Sequence, residues 1–86
     1  MNIRLLEPAV DEFNEAVDWY RGQSAGLAEK FAAEVQVACQ RIAEHPHAWH
    51  PLGEGVRRFR LKRFPYGLVY VVEAGDILVL AVAHLH

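Results

Sequence analysis

Apolar residues recur along this chain with two different periods. Val10, Phe13, Val17 and Tyr20 are spaced by three, four and three residues, which puts them on one face of a helix running from about Pro8 to Gly22. Pro8 suits the first helical position, where its missing N–H costs nothing, and Asp11 and Glu12 place negative charge in the first turn. Leu27, Phe31, Val35, Ala38 and Ile42 continue the same period in a second helix. Ser24 is its N-cap and His45-Pro46 its stop, because the residue before a proline is pushed out of the α region. The two helices are closely linked, so they form a hairpin.

The rest of the chain reads as strands. Asn2–Leu6 is a short strand ahead of the helices. Val56–Phe64 is extended, with Phe59 and Leu61 on one face and Arg58, Arg60 and Lys62 on the other. Phe64-Pro65-Tyr66-Gly67 turns the chain into Leu68–Val72, and Ala74-Gly75-Asp76 turns it again into Ile77–His84. The segment from His45 to Gly55, broken by two prolines and two glycines, reads as a loop. The order is therefore β-α-α-β-β-β in one domain over residues 1–86. The fold class is α+β, with the helical hairpin packed on a small antiparallel sheet. The last two strands are apolar at both parities: Leu68, Tyr70 and Val72 against Val69 and Val71, then Ile77 and Val79 against Leu78 and Leu80. One sheet face meets the helices, and the other is left as an apolar surface for a partner.

Composition sharpens this picture only in places. Eighty-six residues with 52% hydrophobic and 23% charged side chains form a folded globule outside the disordered class. A chain this short buries roughly 60% of its unfolded surface and gains from a stabilising partner. The net charge of −2 hides an asymmetry, since residues 1–54 carry four Lys/Arg against nine Asp/Glu and residues 55–86 carry five against two. Cys39 stands alone, which excludes an intrachain disulfide and favours a reducing, cytoplasmic setting. The start of the chain meets Glu7 and Pro8 before any signal-like apolar run develops, and no stretch approaches the roughly 20 apolar residues of a membrane span. No membrane partner is expected.

The candidate chemistry lies in Arg57-Arg58-Phe59-Arg60-Leu61-Lys62-Arg63. Arg58, Arg60 and Lys62 form a basic ridge able to contact phosphates or a protein target, or to pair with acids of a partner. Arg57 and Arg63 fall at the strand ends, positioned to pair with helix acids such as Glu34 or Asp18. His45, His47 and His50 invite a metal reading, which fails because the two prolines extend the segment and no cysteine or second histidine cluster completes a tetrahedral set. Neither metal nor cofactor is implied. Trp19 flanks the first helix stripe, as peripheral packing or as part of a docking surface. Val37 lies off the second stripe between Lys30 and Arg41 and serves either as an isolated exposed valine or for docking. Tyr66 and Tyr70 are read as packing residues with hydroxyls at the rim.

The element order resembles that of the RelE/ParE superfamily of type II toxins. The residues that carry the likeness are Pro46…Trp49…Pro51…Gly53, the run Val56–Tyr66, Leu68-Val69-Tyr70 and Val79–His84. The resemblance covers nearly the whole chain and is closer to the ParE-like branch. It implies a toxin gripped by a cognate antitoxin in a hetero-oligomer, with Trp19, Val37, Leu78 and Leu80 as antitoxin-binding residues. ParE-like members bind DNA gyrase, whereas RelE-like members resemble small ribonucleases that cut messenger RNA in the ribosomal A site.

RelE-like nucleases commonly carry an arginine just before Leu-Val-Tyr, and here that position is Gly67. They also place a cation or histidine near the end of the last strand and a tyrosine beyond it. His86 matches the histidine, but nothing follows it in the sequence, neither that tyrosine nor the Arg-rich tail of many ParE-like members. The resemblance thus favours a gyrase-binding toxin without catalytic residues. Two alternatives stand: a nuclease using Arg58, Arg60 or Lys62 for charge and His84 or His86 as acid, with the ribosome and mRNA as partners, and a non-toxic relative that only binds antitoxin.

Overall fold

Ser24 sets the corner of the helical hairpin. The computed structural model describes residues 1–85, and in it Ser24 is extended between α1, Glu7–Gln23, and α2, Ala25–Glu44. Its N–H donates to the Tyr20 carbonyl and closes the first helix, while its Oγ accepts from the Leu27 N–H at 3.1 Å and opens the second. One serine therefore satisfies orphan groups of both helix ends. The second helix buries Phe31, Val35, Ala38 and Ile42, the face given by its period, together with Ala28.

The first helix is rotated from its expected stripe. Ala9 and Ala16 are its buried residues, Phe13, Val17 and Tyr20 are half-buried, and Val10 is exposed. Two alanines at the interface let the helix approach the sheet closely, and a pattern read from large side chains overlooks them. Phe31 sits at the centre of an aromatic cluster, with the rings of Phe13, Tyr20, Phe64 and Tyr66 between 5.2 and 5.9 Å away.

The sheet has five strands in the order β1-β5-β4-β3-β2: Ile3–Leu5, Asp76–His84, Tyr66–Glu73, Val56–Arg60 and His50–Gly53. Two features differ from the sequence reading. The sheet is mixed, because β1 runs parallel to β5, pairing Ile3 with Ile77 and Leu5 with Val79. Part of the expected loop is also an edge strand, β2, antiparallel to β3. Pro51 is tolerated there because an edge strand can spare a ladder N–H.

A bulge divides β5. Val69 pairs with Ala81 and Tyr70 with Val79, so Leu80 is an extra residue and the inward parity shifts from Ile77 and Val79 to Val82. Leu68, Tyr70, Ile77, Val79 and Val82 form the buried face against both helices. The opposite face carries Val56, Arg58 and Arg60 of β3 beside Val71, Val69 and Gly67 of β4, continuing to Leu78 and Ala81 of β5. Its apolar members are half-buried only, and no helix lies across them. No helix among the described residues is long and apolar enough to cross a membrane.

Candidate functional site: a cationic corner beside the second helix

The third strand ends four residues earlier than its composition suggests. Leu61 donates its N–H to the Tyr66 carbonyl, and the chain bends through Lys62–Pro65 so that Leu61 and Phe64 enter the core. Lys62 therefore leaves the strand, and the expected ridge of three aligned cations is corrected to two, Arg58 and Arg60, on the outer sheet face. Lys62 is held instead by α2. The N–H groups of Lys62 and Arg63 both donate to Glu34 Oε2, and Arg63 Nε donates to Glu34 Oε1 at 3.2 Å. The expected Arg63–Glu34 pair is thus present, whereas Asp18 pairs with Arg21 of its own helix. Arg57 donates to the Trp49 carbonyl at 2.9 Å and to neither of those acids.

The bend nonetheless brings the three cations to one place. A cavity of about 450 Å³ is lined by Arg58, Arg60 and Lys62 together with Arg41 of α2, Trp49, His50 and Phe59. No carboxylate of the described residues lines it. Trp49 sets its wall: the indole meets the Phe59 ring edge-on at 4.5 Å and directs Nε1 toward the Arg41 carbonyl at 3.4 Å. Arg41, Trp49 and His50 escape a reading by strand parity because they come from the end of a helix, the segment after it and the first residue of an edge strand. The only signal for them in the sequence is the Pro46…Trp49…Pro51 spacing.

Gly67 shapes the far side of this surface. A Cβ there would stand 3.1 Å from both Cγ and Cδ of Arg58, so the absent side chain makes room for the arginine stem. Beyond it, a cavity of about 340 Å³ is lined by Arg58, Arg60, His84 and Leu85. His84 is exposed rather than partly buried as a strand histidine would be, and its ring stands edge-on to Tyr66 at 5.1 Å. His84 also borders a smaller hollow with Glu12 and Glu15, where Glu12 accepts from the Val82 N–H at 2.9 Å. His86 lies outside the described residues.

Burial pushes the Tyr66 hydroxyl above its ordinary pKa, with Glu15 adding to the effect, so Tyr66 stays protonated and is no base at neutral pH. Tyr70 is fully buried, and its hydroxyl sits in the interior rather than at a rim, donating to the Pro46 carbonyl at 2.7 Å. Burial likewise raises the Cys39 thiol, which makes it a poor nucleophile.

The residues expected to meet an antitoxin fall on three separate surfaces. Val37, 45% exposed, lines a groove of about 350 Å³ whose apolar part is Ala33, Ala38 and Phe59 and whose charged rim is Arg41, Lys62, Arg63 and Glu34. Trp19, 63% exposed, stands apart from this groove on α1. Leu78 and Leu80 are half-buried on β5, with Leu78 on the face turned from the helices and Leu80 at the bulge.

Comparison with known proteins points one way. Residues 3–85 match the family described as ParE toxin of type II toxin-antitoxin system, parDE. No curated protein matches the chain significantly. Among solved structures, a chain of the chromosomal ParDE TA system from P. aeruginosa superposes with a TM-score of 0.76. It is 20% identical and the superposition covers 100% of this chain and 97% of that one, a likeness that speaks for the fold alone.

Proposed function

The chain belongs to the ParE toxin family of type II toxin–antitoxin systems, and from that premise we propose that it arrests growth by gripping a protein target, DNA gyrase, without cutting a substrate. A cognate antitoxin neutralises it in the cytoplasm by forming a hetero-oligomer. The observation that carries this reading is Gly67. Metal-free cleavage of RNA needs fixed positive charge where the phosphorane forms, and at the position where RelE-like nucleases hold an arginine this chain holds a glycine already overlain by the stem of Arg58. Features elsewhere on the surface are of the kind that grips a protein. An apolar groove with a cationic rim runs beside α2, and exposed Trp19 and Val37 offer side chains to a partner. An acidic, amphipathic antitoxin segment matches both the groove floor and its rim.

A second reading has one specific observation behind it, the meeting of Arg58, Arg60 and His84 around one cavity. On that reading the chain is a ribosome-dependent endoribonuclease, with His84 as acid and the arginines as charge. A single preparation separates the two. The gyrase reading expects inhibition of DNA supercoiling by purified gyrase and intact mRNA on programmed ribosomes. Cleavage of the mRNA at catalytic rates, lost on H84A and R58A, would reject it.

A further inference from the structure

The outer face of the sheet holds a guanidinium that lacks an acceptor. Arg57 spends its donors on the Trp49 carbonyl and Arg63 on Glu34, but the Nε of Arg58 is shut off from solvent and has no hydrogen-bond partner among the described residues. Its stem is fixed across Gly67, so it points along the strand ladder toward Arg60 and the cavity of about 340 Å³. A buried donor in that state gains from an acceptor that a partner brings. The face continues from Arg58 over Val56, Val69, Val71 and Leu78, all half-buried and without a covering helix.

We propose that Arg58, laid across Gly67, is the receptor for a carboxylate carried by an acidic and apolar segment of the antitoxin, seated on the sheet face turned away from the helices. The proposal rests on the antitoxin reading given above. The planar fork of an arginine presents Nε–H and an Nη–H in one plane, the geometry that donates to both oxygens of a carboxylate, and a small shift of the stem on Gly67 opens the enclosed Nε–H to such an acceptor. Arg60 adds attraction without a fixed seat, being exposed. A nucleic-acid strand fits the face less well. The cations of that face stand toward opposite edges, Arg58 and Arg60 on β3 and Arg4 on β1, and the aliphatic stretch between them has nothing to offer a phosphate backbone, whereas it accepts the apolar side chains that flank an acid in a peptide.

The test titrates the chain with the polypeptide encoded by the adjacent reading frame, by calorimetry. R58K keeps the charge and loses the fork, and it is expected to weaken binding by about tenfold or more, with R60K changing it by less than about threefold. G67A, which displaces the Arg58 stem, is expected to follow R58K. The Arg58 Nε–Hε resonance of the unmodified chain should also move downfield in the complex, a readout that does not depend on how the variants fold. A complex in which R58K and G67A bind within about twofold of the unmodified chain and that resonance stays in place overturns this assignment while leaving the antitoxin reading intact. No complex with the unmodified chain removes both. Binding of a single-stranded RNA octamer that R58E abolishes, with the polypeptide's affinity untouched by R58K, assigns the site to nucleic acid and overturns the proposal.

Discussion

Glu34 is the one side chain through which α2 controls the position of Lys62 and Arg63, so its removal should disable the cationic corner. It is nearly enclosed, with 13% of its side chain exposed, and accepts from two backbone N–H groups and one guanidinium. A hydrogen bond to a charged group contributes about 1.5–3 kcal/mol when sheltered. Arg63 is 69% exposed, so its ion pair is screened and adds little. Water also reaches the bend once it is freed, and E34A should therefore cost about 2 kcal/mol, well below the sum of its parts. For a domain of this size that is a fall in Tm of about 8–16 °C. E34Q keeps an oxygen for the backbone donors and loses the charge, so it should cost about half as much. Calorimetric or circular-dichroism melting of the two variants gives the magnitudes, and amide exchange at Lys62 and Arg63 locates them. If E34A melts within about 2 °C of the unmodified chain and those amides exchange no faster, Glu34 does not anchor the bend.

Three further outcomes follow from separate contacts. Y70F leaves the Pro46 carbonyl inside without its donor and should lower stability by about 1–2 kcal/mol in urea titration, with an unchanged midpoint as the contrary result. Burial holds Tyr20, Tyr66 and Tyr70 above their ordinary value of 10.0 and Cys39 above 9.0, so the unfolded chain gives up these protons first. Stability should stay level to about pH 8 and decline as pH rises through 9 and beyond, and a rise there would contradict the burial. V37D alters an exposed position, so it should leave the melting temperature unchanged while weakening the adjacent-frame polypeptide about tenfold, and undiminished affinity would free the groove from that role.

The helical hairpin and the β3-β4-β5 meander were legible because their signals are local. Phe31, Val35, Ala38 and Ile42 repeat with the helix, Ser24 caps it, and Gly75 beside Ala74 supplies the two left-handed residues that turn β4 into β5. What was not legible depends on partners far away in the chain. His50–Gly53 becomes a strand only because β3 lies beside it, and nothing in three residues of β1 says that they run parallel to β5. The bulge at Leu80 explains why β5 is apolar at both parities, since the inward face changes register partway along. The site was half legible. Arg58 and Arg60 follow from strand parity, but Lys62 reaches the same cavity through Glu34, and Arg41 and Trp49 through the end of α2, contacts that strand parity does not encode.

The central claim is that this toxin is held through the groove beside α2 and the uncovered sheet face. Hydrogen–deuterium exchange on the chain, alone and with the adjacent-frame polypeptide, reads that surface directly. Slowed exchange is expected in residues 33–41 and 59–63 and along β4 and β5. Protection confined to the solvent face of α1, with those segments exchanging as in the free chain, would contradict it.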